Sequence, residues 1–263
     1  MMFKRISPKV MEEYGKYIKA HRLSFIAVCL LILILTFITP FEFWTGIKLM
    51  TAVGAIAFEV TEKVPDVKYY IIAFACLLVS DKLLTWIFNK LRFSILIKAK
   101  NHIILQFEKS PGTYSRERAY YCKDAFGEAM DQLFVLTREA LLSVSLAAFT
   151  VYVNPYAGIP FVIVIYINMW YKIKKKEESA FLRTAVMLLL QAYFISLIFL
   201  IMFHIVSYGG FLGYYCSIMF RIIADKNVPD EWQRYLTEAS RTEVLEEYFK
   251  EASVLQREEA LIK

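Results

Sequence analysis

Between Arg183 and Arg221 the chain carries no charged residue. The run reads TAVMLLLQAYFISLIFLIMFHIVSYGGFLGYYCSIMF and fills positions 184–220, which is 37 residues. A bilayer core about 30 Å thick is crossed by about 20 helical residues. The run is therefore too apolar for a soluble helix and almost twice too long for one crossing. It reads as two consecutive spans broken at Ser207-Tyr208-Gly209-Gly210. A chain holding such a run is an integral, multi-pass membrane protein.

The remaining spans follow from the same arithmetic. Residues 1–22 are basic, with Lys4, Arg5, Lys9, Lys16, Lys19 and Arg22 against Glu12 and Glu13. A first apolar stretch runs from Leu23 to about Phe41, and Pro40 suits a helix stop. No A-x-A-like cleavage site follows it, so it reads as a retained anchor. Its basic flank places the N-terminus on the cytoplasmic side by the positive-inside rule. LMTAVGAIAF then reads as an interfacial or packed helix, being too short to cross. From Tyr69 a second helix carries Asp81 and Lys82 toward the inner interface. It continues, with lysines between apolar residues at helical spacing, out of the membrane to about Glu108. Ser110-Pro111-Gly112 breaks it. A third helix begins after Ser115, a candidate N-cap, and enters the membrane near Leu133. Asn154-Pro155 turns the chain into a fourth span closed by Lys172, Lys174, Lys175 and Lys176. Spans five and six occupy the uncharged run. The sixth, about Gly209 to Ile223, is short, so five or six crossings and either side for the C-terminus remain open.

The expected fold is thus all-α: a polytopic membrane helical bundle with a cytoplasmic helical hairpin and a C-terminal amphipathic helix. Three segments organise it. These are a basic cytoplasmic segment (1–22), a transmembrane domain (23–223) that includes the hairpin 89–132, and an acidic helical tail (224–263). The tail holds six Lys/Arg against ten Asp/Glu, which with a net charge of +6 leaves +10 on the rest. A basic membrane body faces anionic headgroups and needs no nucleic acid to explain it. In the tail, Leu245, Tyr248, Ala252 and Leu255 recur at 3-4-3 spacing, a narrow seam for a surface helix or a docking helix. The side of the membrane fits a bacterial plasma membrane or an organelle membrane equally.

Chemistry-bearing motifs are sparse. Cys29, Cys76, Cys122 and Cys216 form no C-x-x-C, and His21, His102 and His204 are scattered, so neither a metal nor another cofactor is indicated. The one Gly-Lys pair, Gly15-Lys16, lacks the phosphate-loop frame. No cluster of nucleophile and base suggests an enzyme. Ionisable groups at membrane depth are candidates for function by default: Asp81, Lys82, Arg138, Glu139 and His204. A cross-bundle pair of Asp81 with Arg138 would satisfy both charges. The bland alternative has Lys82 reaching the interface while Asp81 faces the bundle. The hairpin tip offers Pro111, Gly112, Tyr114, Arg116 and Arg118, basic and aromatic, as a membrane-surface or partner-docking element.

The stretch FSILIKAKNHIILQFEKSPGTYSRERAYYCKDAFGEAMDQL resembles the first intracellular hairpin of the membrane region of ABC exporters. YGGFLGYYCSIMF is similar to the glycine-marked start of that family's sixth helix. The resemblance implies six long helices, a coupling tip at Pro111–Arg118 with Asp124 as the hairpin's aspartate, and a nucleotide-binding partner. Between spans four and five, Lys172 to Arg183, only 12 residues, leave no room for the family's second hairpin. The expected function is a multi-pass subunit of a transport-type assembly acting with separate polypeptides: other subunits or a second copy, and a separate ATPase. The alternatives are a non-catalytic assembly subunit of a larger membrane complex and a small pore-forming or signalling protein.

Overall fold

The computed structural model describes residues 8–57, 67–108, 116–175, 179–203, 205 and 211–241. Its elements are α1 (Pro8–Ala20), α2 (Arg22–Ala57), α3 (Val67–Glu108), α4 (Arg116–Val153), α5 (Pro155–Lys175), α6 (Ala180–Met202), α7 (Phe211–Ile222), a π-helical turn (Ile223–Asn227) and α8 (Val228–Arg241). There is no strand among the described residues. Five helical stretches are long and apolar enough to cross a membrane: Arg22–Met50, Val67–Leu105, Lys123–Val153, Pro155–Lys175 and Ala180–Met202. The chain is an all-α integral membrane protein.

Two sequence boundaries move. Pro40 does not end the first span, because α2 continues through it to Ala57 and absorbs the short apolar stretch expected as a separate helix. A proline removes one helix hydrogen bond, but breaking the helix in lipid would strand several backbone groups. Hydroxyls occupy nearby carbonyls: Thr36 donates to Ile32 O at 2.7 Å and Thr39 to Leu35 O at 3.0 Å. Likewise no break separates the last apolar segment from the tail, since α7, the π turn and α8 follow one another without interruption from Phe211 to Arg241.

Packing groups the described residues into two compact units. The first draws on Met1–Leu30, Phe88–Leu136 and Glu231–Lys263, so α1, the hairpin halves of α3 and α4, and the end of α8 belong together. Tyr17, fully buried, donates to Ile95 O at 2.8 Å, and Tyr14 stacks on Phe126 with ring centroids 4.4 Å apart. Gly127 lets α3 close on α4, since a Cβ there would lie 2.8 Å from a Lys100 methylene. The ammonium of that lysine meets Asp124 at 2.8 Å, and Arg92 meets Asp131 at 2.6 Å. Arg241 of α8 approaches Glu128 at 3.8 Å. Reversing either member of the Arg92–Asp131 pair is expected to cost about 1–2 kcal/mol, allowing for solvent screening of a partly exposed pair. The exchange Arg92→Asp with Asp131→Arg should recover most of it in thermal melts; a double variant as weak as the sum of both would count against the pairing.

Burial pushes the Tyr17 hydroxyl from its ordinary 10.0 up to about 12. Burial, and then Tyr235, push Tyr14 in the same direction. A folded-state value above the unfolded one stabilises fully below the unfolded value and is lost as pH rises through the folded one. Stability is therefore expected to fall between about pH 10 and 12, and Tyr17→Phe should flatten that limb. An unchanged alkaline slope in this variant would show that Tyr17 does not control it.

The second unit draws on Leu31–Ile87 and Thr137–Asp230. Its tightest part is the turn joining α4 to α5. Asn154, 1% exposed, accepts from Ala157 N through its side chain at 3.3 Å and donates to Ser196 Oγ at 2.7 Å. Pro155 follows at the first helical position, where a missing N–H costs nothing. Gly158 sits against main chain: a Cβ there would be 2.9 Å from Thr150 O and 3.0 Å from Val151 Cα. Tyr193 donates to Thr150 O at 2.9 Å, and α7 reaches the same place through Gly213, whose Cβ would meet Val153 at 2.5 Å. Ser179 caps α6, its hydroxyl accepting from Leu182 N at 3.4 Å.

Candidate functional site

Pro229 shapes the most polar part of the second unit. A proline within a helix has no N–H for the carbonyl four residues earlier, and its ring crowds that carbonyl. Here that carbonyl belongs to Asp225, and the chain passes it through the π turn Ile223–Asn227. A π turn widens the helix locally and shifts its hydrogen-bond register. The released carbonyl is taken by the Lys172 ammonium at 3.1 Å, which also meets the Asp225 carboxylate at 2.9 Å.

Around this pair the polar groups converge. Asn168 lies one helical turn before Lys172 on α5, on the same face, and donates from Nδ2 to the Asp225 carboxylate at 2.5 Å. Asn168 is fully buried, and its Oδ1 has no hydrogen-bond partner. Two residues beyond Asp225, Asn227 donates to Glu139 of α4 at 3.1 Å. The side chains of Lys172 and Asp225 are 19% and 14% exposed, so the ion pair is largely withdrawn from solvent. Asn168 is about 20 Å along α5 from Pro155, at about 1.5 Å per residue, within a core about 30 Å thick. Three elements thus meet at the π turn: α5 through Asn168 and Lys172, which hold the carboxylate and backbone carbonyl of Asp225, and α4 through Glu139, which holds Asn227.

Of the residues singled out from sequence, only Glu139 belongs to this cluster. Asp81 and Lys82 form a second polar group. Asp81 is 9% exposed, while Lys82 is largely exposed and pairs with it at 3.2 Å, so Asp81 meets its sequence neighbour where Arg138 had been considered. Arg138 is half-buried and engaged in its own contacts. Asp81 and Lys82 have a further neighbour on α2. Both lie within electrostatic reach of Glu42, and nearby a Cβ on Gly46 would touch the Phe74 ring at 3.1 Å. Glu42 is about 30 Å along α2 from Arg22, at about 1.5 Å per residue. The antiparallel register of α2 and α3 therefore holds Asp81 a little past the middle of α2. Thr45, beside this group, is buried with its hydroxyl donated to Phe41 O and Glu42 O, each at 3.0 Å.

In the hairpin, Asp124 is exposed and held by Lys100. Arg116 opens α4, and Arg118 lies in its first turn. Pro111, Gly112 and Tyr114 of the tip, His204, and Leu245, Tyr248, Ala252 and Leu255 of the tail seam lie outside the described residues. Among the described residues no three His, Cys, Asp or Glu side chains gather as metal ligands.

Sequence reasoning missed Asn168, Lys172, Asp225 and Asn227. Lys172 looked like one more topology charge, and Asp225 like the first acid of the tail. Two signals were available. Asn168 is a lone carboxamide in the apolar run AGIPFVIVIYINMW, and Pro229 stands four residues after Asp225. No protein-family model, no curated protein and no solved structure matches this chain.

Proposed function

We propose that the chain is a multi-pass membrane subunit of a transport-type assembly that acts with separate polypeptides. The observation carrying this reading is the length and bracing of one helical hairpin. Helices α3 and α4 are 42 and 38 residues long. Either one is about twice the length that crosses a bilayer. Their hairpin halves are joined by Arg92–Asp131 and Lys100–Asp124 and packed with α1 and the end of α8 in one unit. An arm braced in this way suits the transfer of force from a soluble partner to the membrane helices. A buried polar cluster at membrane depth in α4, α5 and the π turn suits passage or coupling of a polar solute.

The same unit supports a topology. It holds α1 and the end of α8, which favours a topology in which both ends of the described chain share one side of the membrane. Such a topology has an even number of crossings, and the continuous helix Phe211–Arg241 would add a sixth to the five stretches long and apolar enough to cross. The basic flank of α2 favours the cytoplasm as the shared side. The ABC-exporter resemblance fits the single arm but stops there, since α5 ends at Lys175 and α6 starts at Ala180, leaving one arm where that family has two.

A second reading, a non-catalytic assembly subunit, is favoured by α3. Its membrane stretch has only 6% of its most apolar window buried, against 39% for α4, as for a helix that meets another protein. Purification of the tagged protein in mild detergent, with mass spectrometry of stoichiometric companions, separates the two. A P-loop ATPase that is lost when residues 111–118 become a neutral linker supports transport. Stable companions without an ATPase, indifferent to that replacement, would replace it with assembly.

A further inference from the structure

We propose that the cluster of Asn168, Lys172, Asp225, Asn227 and Glu139 is a site for a small monovalent cation, in which the Lys172 ammonium is a tethered occupant that the incoming ion displaces. The inference deepens the transport reading and rests on it for the ion's role, while binding itself can be measured without it.

The donor set is made of oxygen. Asp225 supplies a carboxylate and, because Pro229 removes its helix donor, a main-chain carbonyl as well. Unwound or distorted helix segments with freed carbonyls recur at ion sites inside membrane bundles. Glu139 brings a second carboxylate to the same π turn, where Asn227 holds it. Asn168 supplies an oxygen with no partner on a residue that is 0% exposed. Buried polar atoms are nearly always paired, and an unpaired one calls for a water or an ion. It is one end of a planar amide whose other end touches Asp225, so the vacant acceptor stands at the margin of the ion pair. A closed structural ion pair has no use for it.

Charge and size point to a monovalent ion. The five side chains include two carboxylates and one ammonium. Replacing that ammonium by an alkali ion leaves the local charge unchanged, whereas a divalent ion would find too few carboxylates and no cluster of three metal-ligating side chains among the described residues. Hard cations favour oxygen ligands of this kind. Lys172 also has somewhere to go. The last turn of α5 holds Lys174 over the Trp170 ring at 4.7 Å and Lys175 over the Tyr171 ring at 5.0 Å. A flexible four-carbon stem lets the Lys172 head leave the cluster for that interfacial belt.

The test unfolds the purified full-length protein thermally in sodium, potassium or choline chloride at matched ionic strength. One alkali ion is expected to raise the midpoint saturably above choline. If Lys172 holds the site in about nine molecules of ten, Lys172→Met should lower the half-effect concentration about tenfold. Asn168→Leu should abolish the response. Should Lys172→Met fail to fold, Lys172→Gln and the unmodified protein carry the same comparison. An identical midpoint in all three salts for the unmodified protein and either lysine variant overturns the proposal. So does an alkali response undiminished in Asn168→Leu, which would put the ion elsewhere. Failure to find an ATPase companion would remove the transport reading and leave this result standing.

Discussion

Gly158→Ala is expected to cost about 3 kcal/mol or more, enough to lose most of the folded protein from a membrane extract. The added methyl would stand 2.9 Å from Thr150 O and 3.0 Å from Val151 Cα. Both are main-chain atoms, so no side-chain rotation relieves the clash; α4 and α5 must separate. That separation also draws Asn154 away from Ser196 and Thr150 O away from Tyr193. Close helix approach at small residues is the main source of packing in a membrane, where lipid competes with any apolar surface. Gly15 of α1 is the control, because a Cβ there meets nothing within 4 Å. Gly15→Ala should be neutral or stabilise by about 0.5–1 kcal/mol through reduced backbone freedom. Fluorescence-detected size exclusion after graded heating compares the two. Equal recovery of both variants would mean that α4 and α5 do not approach as described.

The second large effect is expected at Asp225. Asp225→Leu takes the carboxylate from the Lys172 ammonium, leaving it the main-chain carbonyl, and removes the acceptor of Asn168 Nδ2. Breaking a buried pair on one side is strongly destabilising, whereas replacing both partners with apolar groups can be nearly neutral. With side chains 19% and 14% exposed, and an escape route for the lysine, about 3 kcal/mol is expected for the single change. Asp225→Leu with Lys172→Met should recover most of it. Thermal midpoints of the two singles and the double form a cycle; strict additivity would show that the two residues are not coupled.

What could be read from sequence followed helical period and breaks. The hairpin halves were legible because lysines interrupt the apolar spacing from Asn89 to Glu108 without interrupting the helix, and α3 ends at Glu108, ahead of Ser110-Pro111-Gly112 in the sequence. The α4–α5 turn was legible for a similar reason, in Asn154-Pro155. Proline was misleading inside the membrane. Pro40 suggested an end to the first span, yet α2 runs on to Ala57, since local preference yields to the cost of unsatisfied backbone in lipid. The polar cluster was illegible because its parts are far apart in sequence: Asn168 and Asp225 are separated by 57 positions, and Asn227 and Glu139 by 88. Periodicity reports which residues share a helix face, and is silent on which helix that face meets. Asp81 shows the same limit, since its nearness to Glu42 is set by the register of α3 on α2, which no local pattern contains.

The spacing of Lys172 and Asp225 has a consequence for biogenesis. The lysine is synthesised 53 residues before the aspartate it pairs with. At about 5–20 residues per second, α5 waits some seconds for its counterpart to leave the ribosome. Throughout that interval Asn168 and Lys172 have no Asp225 to meet, and the nascent α5 is held by its basic end and by the close-packed turn with α4. Emergence of Asp225, not insertion of the fifth helix, is then the step that commits the polar residues to the interior. Chains truncated after Ile222 are expected to be degraded faster than full-length protein in a pulse-chase, and Asn168→Leu with Lys172→Met should lengthen their lifetime. Equal turnover of all three would show that α5 is secured without its late partner.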